Sequence, residues 1–165
     1  MSRFIQWGLG EPASHLAIET ADWVYHSSIG GVRRMSHPEF WSAHTLARGV
    51  RIPATDDEGA ALERELDRLV DKVDYDYGAF AYFAWRAALR KFLGIPFPIV
   101  NAGDRPAAML CVELLYGFFE AYAKIVGRTI TLRDKTFGVM TPLGCVAFAT
   151  EAFGCDASPF SSLSG

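Results

Sequence analysis

Hydrophobic and polar positions along this chain change period partway through. From Ser14 to Glu19 they alternate, with Leu16 and Ile18 to one side and His15, Ala17 and Glu19 to the other, the period of a half-buried strand. Trp23–Ser27 is a second run rich in aromatic and β-branched residues, and Gly30–Gly31 turns the chain into a third over Val32–Met35. With Arg3–Trp7 as a further short strand and His44–Ile52 as a weak one, the first third predicts an antiparallel meander. The period then lengthens. Thr55–Glu58 has the spacing of a capping box, and Leu62, Leu66, Leu69, Val70 and Val73 recur at helical spacing, which predicts a helix to about Val73. A second helix, opened by Tyr75–Gly78, covers Ala79–Phe92 and is ended by Gly94–Pro98. Short helices over Glu39–Ser42, behind Ser36 and Pro38, and from Thr141–Pro142 to about Phe153 complete the set.

The organising stretch is Ala107–Ala123, preceded by a polar loop over Asn101–Pro106 with Asp104 as its cap. It is apolar on almost every side, so it predicts a helix buried all round, stopping near the C-cap glycine Gly127. Its first half holds two reactive groups, the thiol of Cys111 and the carboxylate of Glu113. A thiol at a helix start gains thiolate character from the N-terminal field when a base or cation stands nearby. The meander supplies imidazoles for that role. A two-residue turn at Thr20–Ala21, or a four-residue loop over Glu19–Asp22, sets His15 opposite His26. Directly opposed residues have Cβ atoms roughly 4.5–5.5 Å apart. A cysteine nucleophile needs a base within reach, held by a third polar group. His15 is the candidate base and His26 the third member, with Glu19, two pairs away on the same face, as the alternative.

Composition narrows this further. The 165 residues make one domain over 1–155, with a Ser-rich tail over 156–165. Half of them are hydrophobic, which predicts a packed core, and a net charge of −3 gives no support for nucleic-acid binding. Arg3, Arg33, Arg34, Arg48 and Arg51 lie in the first third, and acids gather between Asp56 and Asp76. Three cysteines without a CxxC pair predict free thiols in a reducing cytoplasm. No signal peptide is visible, and no apolar run reaches the roughly 18 residues of a membrane span. The histidines and cysteines lack the close pairing of zinc ligands, and Gly8 and Gly10 form no phosphate loop, so neither a metal nor a cofactor is expected. Cys145 and Cys155 read as packing residues, His37 and His44 as surface or capping residues, Glu113 as structural, and Tyr77, Phe80, Phe83 and Trp85 as core.

Ala13-Ser14-His15-Leu16-Ala17-Ile18 resembles the "SHvaI" strand of circularly permuted NlpC/P60-type papain-fold proteins, and Cys111-Val112-Glu113-Leu114-Leu115 resembles their "CSELV" helix start. Val112 stands where a small polar residue is commoner. The order His, His, Cys fits the permutation, because papain-like enzymes of the usual arrangement run Cys first. His26 falls where this group and lecithin–retinol acyltransferase-like proteins place their third polar residue. Gly31-Val32-Arg33, Tyr75-Asp76-Tyr77 and Thr141-Pro142-Leu143 match further features of the group and its phage-encoded branch. The resemblance implies an α+β papain-like fold, an antiparallel sheet packed against a central Cys-bearing helix and further helices. It implies a thiol hydrolase or amidase acting on peptide amides of bacterial cell wall, with Cys111, His15 and His26 as catalytic residues. The alternatives are a structural or adaptor component of a virion that keeps the fold, with Trp7, Trp23 and Trp41 on an interaction surface, and an acyltransferase or esterase on lipid or thioester substrates. Virion association, with other virion proteins as partners, goes with the phage-type reading.

Overall fold

Four consecutive residues of one strand, Val24, Tyr25, His26 and Ser27, are each no more than 5% exposed. Neighbours in a strand point to opposite faces, so this strand is covered on both. It is the middle strand, β2 (Val24–Ser28), of a three-stranded antiparallel sheet between β1 (Ala17–Glu19) and β3 (Gly31–Met35). The computed structural model describes residues 13–45, 48–94, 108–109, 111–128 and 141–153. The expected strand at Arg3–Trp7 and the tail fall outside these residues. The chain is a mixed α+β protein.

The register differs from the expected one by two residues. Ala17 pairs with His26, Ile18 with Tyr25 and Glu19 with Val24, leaving Thr20–Trp23 as the loop. The cause is a local closure. The Thr20 amide donates to the Trp23 carbonyl at 2.9 Å, and the Trp23 amide donates to the Thr20 hydroxyl at 3.1 Å. That hydroxyl donates in turn to the Glu63 carboxylate at 2.7 Å. A slip of two preserves which face each side chain takes, whereas a slip of one would reverse all of them. His15 therefore stays on the face of His26 and reaches it diagonally.

One face of the sheet, through Ile18, Tyr25 and Val32, joins a cluster with Leu62 and Leu66 of α2 (Asp56–Asp67) and Leu114, Phe118, Phe119 and Tyr122 of α4 (Cys111–Val126). Cys145, Ala149 and Phe153 of α5 (Pro142–Phe153) complete it, so Cys145 is a packing residue. The other face carries Phe40 of α1 (His37–Ala43), whose ring lies 5.3 Å from that of His26. Trp23 and Trp41 are half-buried, and the Arg34 guanidinium lies 4.4 Å over the Trp23 ring. Neither is the open surface residue expected.

Several boundaries moved for identifiable reasons. The capping box at Thr55 and Glu58 forms, with the Thr55 amide on the Glu58 carboxylate at 2.7 Å. α2 stops at Asp67 rather than Val73, because Asp67 accepts from the Tyr25 hydroxyl and from Arg34, each at 2.8 Å. Beyond it the edge of β3 captures the chain, Asp71 N–H donating to the Val32 carbonyl and Val32 N–H to the Val73 carbonyl. A second, parallel pairing follows, β4 (Asp74–Tyr75) against β5 (Ala108–Met109). The Cys111 helix accordingly starts at Cys111, not at Ala107. It is not buried all round either, since Glu120 and Lys124 are exposed, and Arg128 N–H bonds the Ala123 carbonyl past Gly127 to end it. The residues of 44–52 that are described form no strand. On α3 (Tyr77–Leu93), Tyr77 and Trp85 are exposed rather than core; the side chains of Phe80 and Phe83 are outside the described set. The first nine residues of α3, YGAFAYFAW, carry no charge, so over that stretch the sequence offers no polar face from which to choose the buried one.

Gly31 is where the two sheet systems touch. Its φ is +99°, and a Cβ there would stand 2.2 Å from the Val73 carbonyl oxygen, a backbone atom that cannot swing aside. Gly31→Ala is expected to destabilise the protein by about 2 kcal/mol or more, read as a lowered urea midpoint. An unchanged midpoint would remove the Val32–Val73 seam from this description.

Candidate functional site

The pairing of Tyr75 with Met109 fixes where α4 begins, two residues further on at Cys111. The sulfur of Cys111 lies among backbone N–H groups, those of Leu16, Val112 and Cys111 itself, each of which favours its thiolate. Val112 and Cys111 supply the free amides of a helix start; Leu16 supplies an amide from the lead-in to β1. The Leu16 contact is the informative one, because the residue before Leu16 is His15. No hydrogen bond joins the thiol to either imidazole in this resting arrangement. Catalytic bonds are often long before substrate binds.

His15 Nε2 lies 3.1 Å from His26 Nδ1, the rings edge to face at 87°. One of the two nitrogens donates. When His15 donates from Nε2, its Nδ1 is left as a free lone pair and His26 carries its own proton on Nε2. His26 Nε2 is buried and has no partner among the described residues. Glu19, the alternative third member, is exposed and sits 3.5 Å from His37 Nδ1 instead, so among the described contacts the partner of His15 is His26.

Electrostatics set the resting state. Burial, then the neighbouring His26 and His44, lowers the pKa of His15 to about 4. Burial, then His44 and Arg33, lowers that of His26 to about 4. Both imidazoles are neutral at pH 7. Cys111 keeps some exposure as a residue, but crowding by protein dominates and pushes its thiol up, against the pull of the three amides; the Glu113 carboxylate adds to the rise. This reverses the expectation that the helix field would favour thiolate. Tyr75 is raised to about 12, by burial first and then by the charge that Cys111 carries as a thiolate.

Sequence reasoning missed three contributors. Tyr75, which feels the charge of Cys111, is placed by a non-local two-residue strand pair that no periodicity announces. The Leu16 amide is a backbone group. His44, expected as a surface or capping residue, does cap α1, Nδ1 meeting the Phe40 carbonyl at 2.9 Å, yet its ring also lies 5.9 Å from His15 and 6.0 Å from His26. Among the described residues no group of three or more His, Cys, Asp or Glu is arranged to hold a metal ion, and no helix is long and apolar enough to cross a membrane.

The site is thus a helix-start thiol ringed by amides, with a neutral histidine pair one residue along the chain from one of them. Comparison with known protein families, curated proteins and solved structures finds no match to the chain.

The lowered histidines make stability depend on pH. Each is neutral in the fold and takes up a proton more readily when unfolded, so the unfolded state binds more protons between the folded value near 4 and the ordinary 6.5. Stability is full above pH 6.5 and falls as pH drops toward 4. Between pH 7 and 5 the loss is expected to be on the order of 2 kcal/mol by urea unfolding, and smaller in His26→Phe, whose ring suits the Phe40 contact. A midpoint flat across that range would show the pair to be solvated.

Proposed function

We propose that the chain is a cysteine hydrolase of the amidase type on a permuted papain-like scaffold, with Cys111 as nucleophile, His15 as base and His26 as the residue that holds the His15 tautomer. The observation that carries this reading is the Leu16 amide at the Cys111 sulfur, which brings the residue next to the base against the nucleophile. Because the thiol is raised and the imidazole lowered, the pair starts neutral. Sulfur attack on a carbonyl carbon is then coupled to transfer of the thiol proton to His15 Nδ1. The imidazolium returns that proton to the leaving amine as the C–N bond breaks, and water hydrolyses the thioester that remains. The Val112 and Cys111 amides suit the developing oxyanion.

Peptide amides of bacterial cell wall are the substrate class proposed, through the resemblance of the His15 strand and the Cys111 helix start to phage-type permuted NlpC/P60 proteins. A fold-retaining virion or adaptor component is the rival, favoured by one observation, the upward push of burial on the Cys111 thiol. Purified peptidoglycan and peptide amides separate the two. Release of new amino termini is expected from the wild type, with a loss of about 10³-fold or more in Cys111→Ser and in His15→Ala. His26→Asn, which still offers a polar partner, should lose less. The acid limb of kcat/KM should fall near pH 4, where His15 gains its proton, rather than near 6.5. Wild-type turnover that Cys111→Ser leaves intact would end the proposal.

A further inference from the structure

The His15–His26 pair has a third imidazole against it. His44, the C-cap of α1, stacks face to face on Phe40 at 4.1 Å and 6°, held by its Nδ1 to the Phe40 carbonyl at 2.9 Å. The same ring lies 5.9 Å from that of His15 at 28°, and 6.0 Å from that of His26, edge-on at 72°. Phe40 also meets His26 edge-on at 5.3 Å. Four rings therefore form one packed unit, in which the base is fixed at Nε2 by His26 and along one flank by His44. The bond to Phe40 requires the proton of neutral His44 on Nδ1, so the stack itself is set by α1 and not by the base.

We propose that His44 is a positioning residue for the thiol–imidazole reaction, its ring holding the plane of His15 so that Nδ1 stays turned away from His26 and open to Cys111. This inference rests on the hydrolase reading above. A histidine bonded at one nitrogen can still rotate about that bond, and a ring packed on its flank removes the rotation. Orientation of this kind is worth large factors, since displacement of a reacting group by about 1 Å can cost 10²-fold. Among the described residues, Glu19 of β1 and His37 of α1 pair at 3.5 Å on the same side of the sheet. His26 faces the base from β2 and His44 from α1, Arg33 on β3 influences His26, and Tyr75 and Glu113 stand near Cys111 from β4 and α4. The nearness of His44 also contributes to the lowered proton affinity of both partners.

Two variants divide positioning from simple capping. His44→Asn can keep the bond to the Phe40 carbonyl but has no ring; His44→Phe keeps the ring and loses the bond. The first readout is the NMR shift and pH titration of the carbon-bound ring protons of His15. In His44→Asn the ring-current shift from the stack should vanish and the titration should move up from about 4; in His44→Phe the ring-current shift should persist. The second is the rate of Cys111 modification by iodoacetamide at pH 7, expected to fall about tenfold or more in His44→Asn and to stay within about threefold of wild type in His44→Phe. A wild-type His15 shift in His44→Asn, or equal loss of modification in both variants, would overturn the positioning role. The hydrolase reading fails separately, when His15→Ala leaves Cys111 modification unchanged. The His15 shifts still report on the stack in that case.

Discussion

The double burial of β2 is the constraint on which the rest of the structure depends. Tyr25 and Ser27 face the helical layer, and Val24 and His26 face α1, so one five-residue strand must satisfy two environments at once. The apolar side is built as an ordinary core. The other side buries an imidazole at 5% exposure, and a buried polar ring demands a partner. His15 is that partner, and the demand reaches outward to His44 and Phe40. The same burial that keeps these histidines neutral makes the unit intolerant of acid, so stability is tied to their titration.

The Cys111 end of α4 reaches this strand system from the opposite layer. What joins them is the lead-in to β1, where Leu16 packs with the core and its amide meets the sulfur while His15 turns to the other face. The junction sets His15 one residue along the chain from the amide that meets the sulfur. The raised thiol and the lowered imidazole both rest uncharged at neutral pH. Among the polar groups near the sulfur, three are backbone amides, which no side-chain substitution removes; this part of the site belongs to the fold.

Much of this was legible in the sequence because it was local. The capping box at Thr55, the Gly127 stop and the Thr141–Pro142 start each reflect contacts within a few residues, and each formed, while the strand expected over Ser14–Glu19 formed only over Ala17–Glu19. The face shared by His15 and His26 was legible too, because strand period fixes faces even when register slips. The register itself was not, since it turned on Thr20 closing onto Trp23. Non-local events were hidden: the end of α2 set by Tyr25 and Arg34 on Asp67, the β4–β5 pairing that places Tyr75, and the stacking of His44 on His15. The direction of the Cys111 thiol shift was hidden for a related reason. A helix start announces its dipole in sequence, while the crowding that outweighs it appears only after folding.

The most direct measurement of the central claim, that this thiol and this imidazole act as one unit, is intact-mass and peptide-mapping analysis after brief exposure to an activated acyl ester at pH 7. The account expects a single acyl adduct, a thioester on Cys111, that forms rapidly in the wild type, decays with time, and is nearly absent in His15→Ala. Acylation spread evenly over the cysteines, or an adduct on Cys111 that forms as fast without His15, would contradict it.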